Sequence, residues 1–232
     1  MPLPLSIIYQ DDDLLVINKP SGIALFADRS GSDDLWSILR DQIPGTLYQV
    51  HRLDKGTSGV LLLARRPEVQ ARLNRAFNKR DVRKFYLARV LGTPDIRGSA
   101  RIDLALRKGR KSRFRVAGPR EQIRFQQSRW SLPSQHQDPE GLPSLTRVRV
   151  LQPGEHALLL LQPETGRSHQ LRVHLSWIGH PILGDHLYGR PNDPAQQFTR
   201  LALHAHSLLI PGADGRLRRF IASAPADIVG ND

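Results

Sequence analysis

A chain of 232 residues with 34 Lys and Arg against 22 Asp and Glu carries a formal charge of +12, no cysteine and 39% hydrophobic residues. Those figures fit one large globular domain or two closely joined halves, long enough for a real core. They exclude disulfides, thiolate metal sites, cysteine nucleophiles and thiol redox chemistry, and they point to a polyanionic partner, nucleic acid before anionic membrane.

Short apolar runs punctuated by glycine and proline dominate, and helical periodicity is confined to a few places, so an α+β fold is expected. In chain order, apolar runs predict strands over 5–9 and 14–18. Asp33 and Asp34 cap a helix through the LWSILRDQ segment, with Leu35, Ile38 and Leu39 on one face, ending by Pro44 and Gly45. A strand follows over 59–64. Pro67 opens the next helix, on which Val69, Leu73 and Phe77 form a stripe. Further strands are expected over 84–91, 146–151, 157–162 and 203–210, and a third helix over 168–178, stopped by Gly179 and Pro181. Residues 118–143 are polar, proline-bearing and without clean period, which predicts a long surface excursion within one continuous domain. No stretch approaches the ~18 consecutive apolar residues of a membrane span. The first residues lack a basic start, and Asp11, Asp12 and Asp13 follow the short apolar stretch, so the chain is not expected to carry a signal peptide and is placed in the cytoplasm.

Three segments are dense in chemistry. The HRLDKGTSG run from His51 to Gly59 feeds the strand over 59–64 and sets Asp54 among Arg52, Lys55 and His51, which favours an ionised, oriented carboxylate. Taken alone, the same residues also read as a surface ion pair followed by a Thr-Ser-Gly turn. The TGRSHQLRVH run from Thr165 to His174 joins a Gly166 turn to a donor-rich first helical turn, suited to clamping an anion or a carboxylate. His169 and Arg172 share a face there, while Leu171, Leu175 and Ile178 form a core stripe. From Arg107 to Arg115, six cations in nine residues with Phe114 among them predict a positive ridge that tracks phosphates. His204 with His206, and His169 with His174, lack a third ligand at metal-binding spacing, so no metal site is expected. Neither a nucleophile elbow nor a P-loop is present in the sequence.

In order along the chain, Asn18-Lys19-Pro20-Ser21-Gly22, the His51 to Gly59 run, Lys84-Phe85-Tyr86, the Thr165 to His174 run, His180-Pro181-Ile182-Leu183-Gly184-Asp185 and Leu203-His204-Ala205 resemble the motifs of RluA-type pseudouridine synthases. The resemblance implies a single catalytic domain over residues 1–232 without an N-terminal S4 module. It also implies a mixed, mostly antiparallel sheet with flanking helices and a central basic cleft. Asp54 would be the catalytic aspartate, Arg172 its salt-bridge partner and Tyr86 the aromatic stacked on the target uracil. Arg52 would help displace the target base, with His51, Lys84, Arg167 and His169 as further RNA-contacting side chains beside Arg107, Lys108, Arg110, Lys111 and Arg113. The reaction would isomerise a flipped-out uridine of a tRNA, a 23S-type ribosomal RNA stem-loop or both. It would need no cofactor, membrane or obligate protein partner, and a monomer is expected. The rival reading is a non-catalytic RNA-binding protein that keeps the fold, and a further rival is a nucleic-acid hydrolase or glycosylase.

Overall fold

Strands account for most of the regular structure in the computed structural model, which describes residues 5–27, 34–110, 113–189 and 198–230. In chain order they run β1 Ser6–Gln10, β2 Leu14–Lys19, α1 Leu35–Gln42, β3 Tyr48–Gln49, β4 Ser58–Ala64, α2 Pro67–Lys79 and β5 Arg83–Leu91. Then come β6 Ser99–Asp103, β7 Leu106–Lys108, β8 Phe114–Val116, β9 Arg124–Gln126, β10 Arg129–Ser131, β11 Leu145–Gln152 and β12 His156–Pro163. Helix α3 Gln170–Trp177, β13 Leu203–Pro211, β14 Leu217–Ile221 and α4 Ala226–Val229 complete the order. The chain divides into two compact units, one of Met1–Lys84 with Leu203–Pro225 and one of Phe85–Ala202 with Ala226–Asp232.

In the first unit the strand order is β1-β2-β4-β13, with β3 alongside β4 and β14 alongside β13. The apolar run of β4 is buried along its whole length, as an unalternating strand covered on both faces must be. Val60, Leu62 and Ala64 of β4 pack with Val69, Leu73 and Ala76 of α2 and with Leu208, Ile210 and Phe220 in one core cluster. β13 joins β4 in parallel with Ala205 opposite Gly59. Gly59 holds φ +111°, and a Cβ there would stand 2.2 Å from the Ala205 carbonyl oxygen, so only glycine admits this approach. Asp34 caps α1 through the Ser37 amide, as expected; Asp33 lies outside the described residues.

The second unit carries strand order β5-β12-β11-β6-β10-β9 and a separate β7-β8 hairpin. All pairs are antiparallel except β10 with β6. An α+β fold with a mixed, mostly antiparallel sheet is therefore observed. Residues 118–143 correct the sequence reading: instead of a loose excursion they supply β9 and β10 to the sheet. Trp130 and Leu132 supply the reason, since both are buried and anchor the segment. Among the described residues no helix is long and apolar enough to cross a membrane.

Candidate active site

Asp54 sits on a loop fixed by the segment that ends β2. Lys19 is fully buried, and its Nζ donates to the carbonyls of Pro20 and Ile23 at 2.8 Å and of Lys55 at 3.2 Å. Ser21 Oγ donates to the Gly56 carbonyl at 2.6 Å, and the Gly22 amide donates to the Lys55 carbonyl at 2.9 Å. The turn closes on itself where the Thr57 amide donates to the Asp54 carbonyl at 3.0 Å. Burial pulls the Lys19 ammonium down to about 8, against the opposing attraction of the Asp54 carboxylate. The backbone just after Asp54 is thus held at Lys55, Gly56 and the Thr57 turn, with a desolvated cation in the field of the carboxylate. Lys19 is a positioning residue that the sequence left without a role; the signal was a lysine closing an otherwise apolar strand.

Of the two residues His51 and Lys84, expected on RNA, His51 is tied into this unit and Lys84 is partly buried. His51 Nε2 accepts from the Leu62 amide at 3.0 Å, and its ring stacks on Phe77 with centroids 5.2 Å apart. Burial first, and the Lys84 charge second, push this imidazole down to about 3, so it is neutral at physiological pH. Burial also lowers the Lys84 ammonium. His51 therefore braces the start of the Asp54 loop against β4, which replaces an RNA contact with a structural one. Arg52 is exposed. His204 and His206, weighed as metal ligands, are engaged elsewhere: His204 bonds Ser58 Oγ at 2.9 Å and the Ala222 carbonyl at 3.2 Å, and His206 bonds the same carbonyl.

In the second unit Tyr86 lies on β5 opposite Leu161, which faces Val148, which in turn faces Ala100. The next row along, Thr146 on β11, points to the same face and bonds His174 Nδ1 at 3.0 Å and Gln170 Nε2 at 3.0 Å. Helix α3, which carries Arg172, therefore packs on the Tyr86 face. The polar residues of the Thr165 to His174 run largely serve this docking. Gln170 accepts from Thr165 Oγ1 and the Arg167 amide and donates to the Leu145 carbonyl, while His174 also bonds the Leu104 carbonyl. His174 is buried without charge, its imidazole pushed down to about 4.

Arg172 is buried and forms a two-point pair with Asp185, Nε to Oδ2 at 2.8 Å and Nη2 to Oδ1 at 2.7 Å. Asp185 Oδ1 also accepts the amides of Leu187 and Tyr188, and the guanidinium lies 5.1 Å from the Tyr188 ring centroid. Such a fork fixes the plane of an arginine as no lysine would. Asp185 stands within the His180 to Asp185 motif, but its pairing with Arg172 is not legible there, because the partners lie 13 residues apart and on different elements. His169, just before α3 with φ 56°, bonds the Tyr188 hydroxyl at 2.7 Å, and that hydroxyl accepts the Phe114 amide at 2.9 Å. His169 thereby links α3 to β8 instead of standing free for RNA.

The basic ridge is a hairpin, with Arg107 opposite Arg115 and Lys108 opposite Phe114. Lys108, Arg110, Arg113 and Arg115 are exposed. Arg107 departs from the expected set, since Asp138 pairs with it directly and Glu140 lies 3.9 Å away. Lys111 lies outside the described residues. Arg167 donates from Nε to the Pro143 carbonyl at 3.3 Å.

Residues 13–177 match the RNA pseudouridylate synthase family. The dual-specificity RNA pseudouridine synthase RluA of Escherichia coli is 36% identical over 228 residues, 96% of this chain and 94% of that protein. The ribosomal large subunit pseudouridine synthase D of Borreliella burgdorferi is 34% identical over 98% of this chain and 67% of its own length. The solved structure of human RNA pseudouridylate synthase domain containing 1 superposes with a TM-score of 0.75 at 29% identity, covering 95% of this chain and 83% of that one. A carboxylate on a clamped loop, an aromatic and a forked arginine on one sheet face, and these matches along nearly the whole chain have one reading: the chain belongs to the RNA pseudouridylate synthase family and is an isomerase.

Proposed function

We propose that Asp54 is the nucleophile with which this chain converts a uridine in a tRNA or 23S-type ribosomal RNA stem-loop to pseudouridine, acting as a cytoplasmic monomer. The observation that carries the reading is the clamped Asp54 loop, in which Lys19, Ser21 and Gly22 hold the Lys55 and Gly56 carbonyls directly after the carboxylate. A protein that only binds RNA has no use for such pre-organisation, and its cost in burying Lys19 would be unrewarded.

The chemistry follows from what must change. The bond from C1′ to N1 breaks, the detached uracil turns, and C5 bonds to C1′ while the C5 proton leaves and N1 regains one. No atom enters or departs overall, so the reaction itself calls for no cofactor. Asp54 attacks C1′, with oxocarbenium character as in retaining glycosidases, or C6 of the ring. Tyr86 offers a flat face to the extruded base and a phenol oxygen for the C5 proton. Arg172 keeps a carboxylate ionised and aligned; Asp185 supports this role by setting the plane of the guanidinium. Extrusion of the base costs a few kcal/mol, which Arg52 and the exposed cations of the hairpin offset through the backbone. Incubating the protein with tRNA and with ribosomal RNA stem-loops, followed by nuclease digestion and mass analysis, tests the reading. A new nucleoside of unchanged mass at one uridine is expected; strand scission or base loss would contradict it.

A further inference from the structure

The sheet of the second unit has a face that the mechanism does not use. Arg129 on β10 stands opposite Arg101 on β6, and Arg101 stands opposite Arg147 on β11. Gln126 and Gln162 extend this row to β9 and β12. Residues one position along, Ala100, Val148, Leu161 and Tyr86, form the neighbouring row. Because successive side chains alternate across a strand, the arginine row lies on the face opposite Tyr86. Arg149 adds a fourth cation two residues beyond Arg147, opposite Ser99. All four arginines are exposed.

Like charges set directly opposite in a sheet are unfavourable, and strand spacing of about 4.8 Å leaves these stems as immediate neighbours. Asp103 relieves Arg129 and Glu164 relieves Arg147. Arg101 at the centre and Arg149 beside it pair with no carboxylate among the described residues. A partner bearing closely spaced negative charges would repay the crowding. Planar guanidinium groups in a row match phosphate oxygens better than lysines would.

We propose that this arginine face is a second RNA-binding surface, holding the sugar-phosphate backbone of substrate RNA that extends beyond the target loop. The proposal rests on the chain acting on RNA, and it assigns recognition of flanking RNA to the side of the sheet away from the reacting base. It follows that the surface contributes on long RNA and is silent on a minimal stem-loop.

The test compares the full-length protein with its Arg101→Gln, Arg149→Gln double variant, with Arg149→Gln alone as the milder control and thermal melting to establish folding. On full-length tRNA or a long ribosomal fragment the double variant should raise KM on the order of tenfold at unchanged kcat. It should also flatten the slope of log affinity against log salt by about two, roughly 0.9 per lost phosphate contact. On a short stem-loop, KM should not move. An unchanged slope and KM on long RNA would overturn the proposal, as would an equal rise on the short stem-loop. Lost binding to phosphatidylserine vesicles with RNA affinity intact would overturn RNA as the partner. A slope flattened by the double variant, together with a wild type that forms no pseudouridine, would leave this surface standing and sink the assignment of the reaction.

Discussion

Arg172 and Arg107 show how one residue type takes two fates. The first is sealed in a fork with Asp185, the second sits half-exposed against Asp138. Removing one member of a buried pair strands the other charge and costs about 3–5 kcal/mol, whereas an exposed pair contributes roughly 0–1 kcal/mol. Asp185→Asn should therefore lower both Tm and turnover markedly, while Asp138→Asn should leave both near wild type; melting curves and single-turnover rates check this. His51 and His174 give a pH dependence of definite sign. Both are held neutral, with folded values near 3 and 4 against 6.5 when unfolded. Their contribution is fully present above pH 6.5, and stability falls as the pH drops from there toward 4, because the unfolded chain binds protons that the folded one refuses. Chemical denaturation at pH 7.5 and pH 5 measures the difference, and substituting His174 with Gln should shrink it.

At the scale of elements, the close approach of β4 and β13 depends on Gly59. Gly59→Ala places a methyl group against the Ala205 carbonyl at a positive φ, so a cost of about 3 kcal/mol or more is expected. For a chain of this size that corresponds to roughly 6–12 °C in Tm. A melting temperature within a degree of wild type would reject the tight packing. The long apolar strands and all three main helices were legible because burial imposes a period or a continuous run, as β4 and the Val69 to Phe77 stripe illustrate. Strands β9 and β10 were not legible. Each is three residues long, β9 is exposed throughout, and their place depends on Trp130 finding a distant neighbour in β6. Short edge strands carry too few residues for any pattern to emerge.

For the whole molecule, the charge of +12 predicted a polyanion partner, and membership of an RNA-modifying family agrees with it. The distribution of that charge was less readable. The cluster at Arg107 to Arg115 announces itself in the sequence, yet Arg107 is neutralised by Asp138 from 31 residues away. The row of Arg129, Arg101 and Arg147 is assembled from three strands and has no sequence signature at all. The site residues followed the same division. Asp54 and Arg172 stand in dense local motifs and Tyr86 was marked only by the family resemblance, whereas Lys19 and Asp185, which hold the Asp54 loop and the Arg172 guanidinium in place, show their roles only through carbonyls and guanidinium groups brought near by folding. The proposed reaction turns on Asp54. Tritium release from C5-labelled uridine in tRNA and ribosomal RNA transcripts, measured for wild type and Asp54→Asn under conditions where both bind RNA, tests it most directly. Release by wild type and none by the variant is the predicted result; equal release by the two would contradict the assignment of Asp54 as the nucleophile.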